Sequence, residues 1–231
     1  MRIIIDNINH KFDFDKRKIN RLVIENPSEW RNVLLRFKRQ MTSGEEYAAL
    51  FDGLKELSVS KYVEVIYSPI DFGSNQVRLL NKLYKSLAED CVTGEKLLET
   101  MSIKAKVSEF VGNAIFDKEI SLTYNDDFDI MGLFKLTGVK IDEDDSDLIS
   151  KILDYMLAVQ DLDGNKIFIV AGLSDFLTYE DKSLFYETVI SKEIKLLLID
   201  RNLYESHRLE NIVIIDKDLC EIMGDSAENF C

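Results

Sequence analysis

The sequence predicts an α/β protein: a head with a mainly parallel sheet, built from both ends of the chain, and an α-helical leg inserted between them. Three observations lead there. Short β-branched apolar runs open the chain and return from Lys166 onward. In that last third, strands alternate with a helical period, which implies parallel pairing with both sheet faces covered. Between the two parts, residues 74–163 contain no proline and repeat apolar residues at helical spacing over three long segments. With 231 residues, 46% of them hydrophobic, the chain can bury one sizeable core. The head is assigned to 1–73 and 164–231, and the leg to 74–163.

In chain order, strands are expected at 2–6 and 21–25, the second broken by Asn26-Pro27-Ser28. Ser28 is the candidate N-cap of a helix in which Trp30, Val33, Leu34 and Phe37 repeat to about Met41. Phe51-Asp52-Gly53 marks the turn of a short hairpin within 48–57, and Lys61–Ser68 reads as a buried strand closed by Pro69. Leg helices are expected near 75–90, 95–116 and 146–160. The head resumes with a strand at 166–170, a turn at Gly172, a helix at 178–191, and strands at 194–199 and 211–215.

The net charge of −13 is unevenly spread. Residues 1–41 hold ten basic side chains against five acidic, whereas 117–147 hold ten acidic against three lysines. Exposed charges act over roughly 8 Å at physiological salt, so an acidic total does not exclude a nucleic-acid partner for a locally basic surface. Cys91, Cys220 and Cys231 form no Cys-x-x-Cys pair and leave an odd thiol, which argues against a disulfide framework or a thiolate zinc site. No apolar run approaches the ~20 residues of a bilayer span, and Met1–Asn9 lacks a signal peptide's regions. A cytoplasmic location is expected.

A phosphate loop needs glycines and a lysine between the first strand and its helix. Here that turn is Glu25-Asn26-Pro27-Ser28-Glu29-Trp30, with neither, and Thr93-Gly94-Glu95-Lys96 lies between helices. Nucleotide hydrolysis is not expected. Histidine chemistry lacks a spaced partner for His10 or His207, and no Gly-x-Ser-x-Gly elbow exists. Arg78, Lys82 and Lys85 fall within about 60° on a helix, opposite Leu80, Leu83, Tyr84 and Leu87, and such a cationic stripe suits phosphates. It equally suits an ordinary solvated face. Lys16, Arg17, Lys18 and Arg21, with Arg31, Arg36, Lys38 and Arg39, form a second basic group, and Lys104, Lys106 and Lys140 are weaker candidates. No interleaved aromatics suggest single-strand stacking, so duplex backbone binding is expected. The acidic residues Glu119, Asp126, Asp127 and Asp129, and further on Asp142, Glu143, Asp144, Asp145 and Asp147, read either as a solvated loop or as oxygen donors for calcium. They are no EF-hand, and Asp161–Asn165 reads as a turn.

Two stretches resemble a known family. Gly138-Val139-Lys140-Ile141, the acidic run into Ser146-Asp147, then Lys166–Val170, Phe176-Leu177-Thr178 and Leu196–Arg201 are similar to the type II-A CRISPR spacer-acquisition accessory family. Leu50-Phe51-Asp52 and Ile70-Asp71-Phe72-Gly73-Ser74 also resemble it; the likeness covers most of 45–222. What it implies is a P-loop-NTPase-like head without the nucleotide motif, and a homotetrameric ring that grips double-stranded DNA ends in a lysine-lined hole. It implies calcium as cofactor, near Glu119, Asp126, Asp127 and Asp129, and no enzymatic activity. The CRISPR integrase and effector nuclease are the implied partners. Two other readings stay open: a magnesium-dependent nuclease using Asp126, Asp127 and Asp129, and an acidic protein-interaction module without DNA contact.

Overall fold

Strand β3 (Ile19–Ile24) is buried at every residue, which requires neighbours on both edges and both faces. The computed structural model, which describes residues 1–14, 17–142 and 147–224, supplies both. With β1 (Arg2–Ile5) and β2 (Lys11–Asp13) before it, the chain continues through α1 (Pro27–Ser43), β4 (Ala48–Asp52), β5 (Lys55–Leu57), the short α2 (Val59–Tyr62) and β6 (Val63–Ile66). Then come α3 (Val77–Val92), α4 (Leu97–Phe116), α5 (Ile130–Leu136), α6 (Leu148–Asp163), β7 (Ile167–Ala171), α7 (Tyr179–Ser191), β8 (Lys195–Asp200), β9 (Glu210–Ile215) and β10 (Glu221–Gly224).

The class is α/β, with parallel and antiparallel pairing. A six-stranded sheet runs β10-β9-β3-β8-β7-β6, parallel throughout except where β10 pairs antiparallel with β9. A four-stranded antiparallel sheet runs β2-β1-β4-β5, and of its pairings only the β4–β5 hairpin was expected. The chain forms two compact units, one of Met1–Gly73 with Asp144–Cys231 and one of Ser74–Glu143. The sequence-based boundary at 163 therefore moves to 143. The reason is α6, which buries Ile152, Tyr155, Met156 and Val159, and whose Tyr155 hydroxyl donates to Glu64 Oε1 of β6 at 2.7 Å.

In the larger unit the period-2 alternation of the strands sorts two layers. Leu22, Ile24, Ile169, Leu197, Ile199, Val213 and Ile215 face a core shared with Val33 and Phe37 of α1 and with Ile3, Ile5 and Leu50 of the small sheet. Gln40 near the end of α1 fastens that layer, donating to the Ala48 carbonyl at 2.7 Å and accepting from its N–H at 3.0 Å.

The opposite face carries a charge. Arg21 of β3 has no exposed surface, and its guanidinium donates to Asp200 Oδ2 at 2.8 Å and to both oxygens of Glu210 at 3.2 Å. It also reaches the carbonyls of Glu205 (2.9 Å) and Asn202 (3.4 Å). Burial alone would lower its pKa; the two carboxylates outweigh that and hold it raised. Tyr186 of α7 donates to Glu210 at 2.7 Å, and the Ser174 hydroxyl donates to Asp200 at 2.6 Å.

The smaller unit holds α3, α4 and α5. Asn75 closes it by pairing both ways with the backbone of Ile141, at 2.9 Å each, and the Tyr84 hydroxyl donates to the Val139 carbonyl at 2.8 Å. No helix among the described residues is long and apolar enough to cross a membrane.

Asp200→Ala leaves the enclosed guanidinium without its nearest carboxylate, so urea unfolding should show a loss of about 3–5 kcal/mol. A loss below about 1 kcal/mol would contradict the buried pairing.

Candidate functional site

The parallel strands end near the start of α1, where an open α/β sheet would hold a ligand. In this chain the helix start is filled from within. Asn26, not Ser28, is the N-cap: its Oδ1 accepts from the N–H groups of Ser28 (3.0 Å) and Glu29 (3.2 Å), with Pro27 in the first turn. Its Nδ2 donates to the Lys217 carbonyl at 3.1 Å, fixing the loop after β9 over the same place. The cavity there, lined by Asn7, Ile24, Glu29, Arg36, Ile215 and Leu219, encloses about 230 Å³. Ordinary small-molecule sites occupy roughly 300–1,000 Å³.

A second cavity of about 560 Å³ is rimmed by Asp6, Glu46 and Glu56, charges that repel phosphate. Another, of about 490 Å³ where β3 and β8 begin, carries Arg17, Lys18 and Lys195 against Glu193.

The basic residues expected to meet phosphate separate into distinct environments. Arg21 is removed from that group, because it is buried among carboxylates; Lys16 lies outside the described residues. On α1, Arg31, Lys38 and Arg39 are exposed, and Lys38 and Arg39 have no carboxylate at ion-pair distance among the described residues. Arg36 is half-buried, 3.5 Å from Asp6 and stacked 5.3 Å over the Tyr47 ring, so its charge serves the fold. On α3, Arg78 and Lys85 are exposed and Lys82 is half-buried, above the buried Leu79 and Tyr84. Lys85 is shared with Glu89 at 3.7 Å, a solvated i,i+4 pair, and Arg78 and Lys82 have partners too. Lys106 and Lys140 are exposed, whereas Lys104 is committed to Asp127. The α1 and α3 faces belong to different units.

The acidic candidates do not converge. Glu119 and Asp126 are exposed in the connector after α4. Asp127 accepts from Lys104 Nζ at 2.7 Å, which holds its carboxyl below the usual range by hydrogen bonding and charge. Asp129 caps α5, accepting from the Met131 N–H at 3.0 Å, and Asp147 caps α6 through Ile149 and Ser150. Glu143, Asp144, Asp145 and Ser146 lie outside the described residues. Among the described residues no three acidic, histidine or cysteine side chains form a metal-holding group. Calcium takes six to eight oxygens, so these side chains as placed do not fit it.

One pair escaped the sequence reading. Ser183 Oγ lies 3.1 Å from His207 Nε2, but His207 Nδ1 accepts from the Leu209 N–H at 3.2 Å. The neutral ring then carries its proton on Nε2 and donates to the serine, the wrong direction for activating a nucleophile.

Helix α4 is the other surface no motif announced. Thr100 is its only buried residue, while Leu98 (79% exposed), Met101 (58%) and Phe116 (84%) point to solvent from one side and Phe110 (73%) from the side opposite Met101. A helix apolar around its circumference is normally covered.

The family described as CRISPR-associated protein (Cas_Csn2) matches residues 40–219, from the last turn of α1 to the loop after β9. The chain belongs to this family. Its role is therefore CRISPR-associated, and the type II-A resemblance read from Gly138–Ile141 and Lys166–Val170 is the family's. Among curated proteins, none matches the chain. The Cas_Csn2 match takes in the whole of Ser74–Glu143 and most of the six-stranded sheet, and leaves out β1 to β3 and most of α1.

Asn26→Ala strips two backbone donors of their acceptor at the start of α1. Urea unfolding should show a loss of about 1 kcal/mol, the usual cost of an N-cap.

Proposed function

We propose that this Cas_Csn2 protein is a non-enzymatic clamp for double-stranded DNA ends in spacer acquisition, working in the cytoplasm as a ring of four copies alongside the CRISPR integrase and effector nuclease. The observation that carries the reading is the α1 face. In a chain of net charge −13, Arg31, Lys38 and Arg39 stay exposed on one helix, and the last two have no neutralising carboxylate among the described residues. Such cations neutralise phosphates and release counterions without reading base identity. Arg78, Lys82, Lys85 and Lys140 add to the same chemistry from the smaller unit, and a ring repeats each phosphate-binding group four times over.

Self-association is supported by α4, whose apolar side chains are left for another surface to cover. The absence of catalysis is supported by the self-capped start of α1 and the small crevice beside it. The nuclease reading draws less support, since Asp127 and Asp129 are held by Lys104 and by the α5 backbone instead of facing a shared metal. No step of the clamp reading runs through calcium.

Binding to blunt linear duplex should weaken linearly in log salt, and closed circles should bind less well. Lys38→Glu with Arg39→Glu should weaken binding at least tenfold and flatten the salt slope by about 1 for each phosphate no longer neutralised per copy. Unchanged affinity removes the α1 face from the interface, and equal affinity for circles removes the preference for ends. In a parallel measurement, Leu98→Ser with Met101→Ser, two side chains on one face of α4, should lower the solution mass; a mass that stays that of the assembled wild type excludes this face of α4 from self-association.

A further inference from the structure

The acidic connector between α4 and α5 runs back along one stripe of α4. Three α4 residues at four-residue spacing receive it, in reverse order. Gly112 lies under Tyr124, where a β-carbon would come within 3.0 Å of the tyrosine hydroxyl. Ser108 Oγ donates to the Asp126 carbonyl at 2.9 Å. Lys104 Nζ donates to Asp127 Oδ1 at 2.7 Å and lies 5.8 Å from the centre of the Phe128 ring. The Asn125 side chain folds the turn by accepting from the Asp127 N–H at 3.2 Å, and Asp129 then starts α5. Residues 104, 108 and 112 share a helix face because four residues advance little more than one turn.

We propose that Lys104 is the built-in cation of this leg, strapping the connector to α4 in the place where a divalent ion would otherwise be needed. Carboxylates gathered on a short segment repel one another until a cation sits among them. An ammonium on Asp127 supplies one and, by like charge, keeps a second cation from the same oxygens. With Asp129 turned to the α5 backbone, the connector carboxylates left, Asp117, Glu119 and Asp126, do not come together as an ion-holding group among the described residues, whereas calcium takes six to eight oxygens. The serine and the glycine give the strap its register: a larger side chain at 112 would push Tyr124 away, and 108 holds the backbone between the two ends. This proposal is independent of DNA binding and of ring formation.

The test is hydrogen exchange at residues 124–129 of the full chain, in EGTA and in calcium chloride at equal ionic strength. Wild-type exchange should be the same in both. Lys104→Met should speed it about two- to fivefold, the range for an exposed ion pair. Lys104→Asp combined with Asp127→Lys should restore protection, and Gly112→Val should speed exchange around Tyr124 with the charge pair intact. Slower exchange of the wild type in calcium overturns the proposal, as does a Lys104→Met protein indistinguishable from wild type. Should Lys104→Met unfold the helices altogether, the charge-swapped protein decides: recovered protection supports the strap, and its absence refutes it.

Discussion

A guanidinium cut off from water needs acceptors on every side, and the second face of the large sheet is arranged around that need. Arg21 sits mid-strand in β3. Its carboxylates come from the end of β8 and the start of β9, and two further acceptors are carbonyls of the segment joining them. The crossover that carries the chain from one side of β3 to the other is thereby fixed from within. Asp200 also accepts from Ser174, and Glu210 from Tyr186, so the turn after β7 and helix α7 answer to the same charge. Lys182 on α7 is buried close by; burial first and Arg21 second lower its pKa, which marks how little additional positive charge this layer accommodates.

What the sequence could reveal follows from the range of the forces involved. Strand β7 and the central residues of β8, the end of β9 and the second half of β3 are runs of apolar residues, legible because burial on both faces leaves no polar alternation there. Helices α3 and α4 were legible within about two residues from apolar spacing. Arg21 was not. Beside Lys18 it reads as part of a basic surface, and its two carboxylates lie 179 and 189 residues away. Helix α6 was visible as a helix, but the unit it joins is decided by its hydrogen bond to Glu64, 91 residues distant. Strand β2 has three residues, and α5 is a seven-residue helix containing Gly132, too short for any period to show. At the acidic connector, composition was legible and geometry was not: clustered carboxylates suggest a metal, whereas the partners of Asp127 and Asp129 are an ammonium and a backbone N–H. The small residues Ser108 and Gly112, spaced four apart from Lys104, were the available signal.

The charge of the molecule is divided by role. Arg21 and Lys166 are spent inside the fold, Lys166 reaching Asp163 at 2.7 Å across the turn into β7, and Arg36 and Lys104 are paired with carboxylates at its surface. Those left facing outward on α1 are few and close together. A Cas_Csn2 member with these cations concentrated on one helix can present a positive surface despite its acidic total, because screening isolates them from distant carboxylates.

The pairing of Asn75 with Ile141 has a wider meaning. It draws together the two ends of the smaller unit, 66 residues apart in sequence, with a pair of hydrogen bonds. Whatever lies between those ends can lengthen, shorten or be rebuilt while the ends themselves stay paired. The helical part is in that sense a cassette, closed on itself at the point where its chain begins and ends.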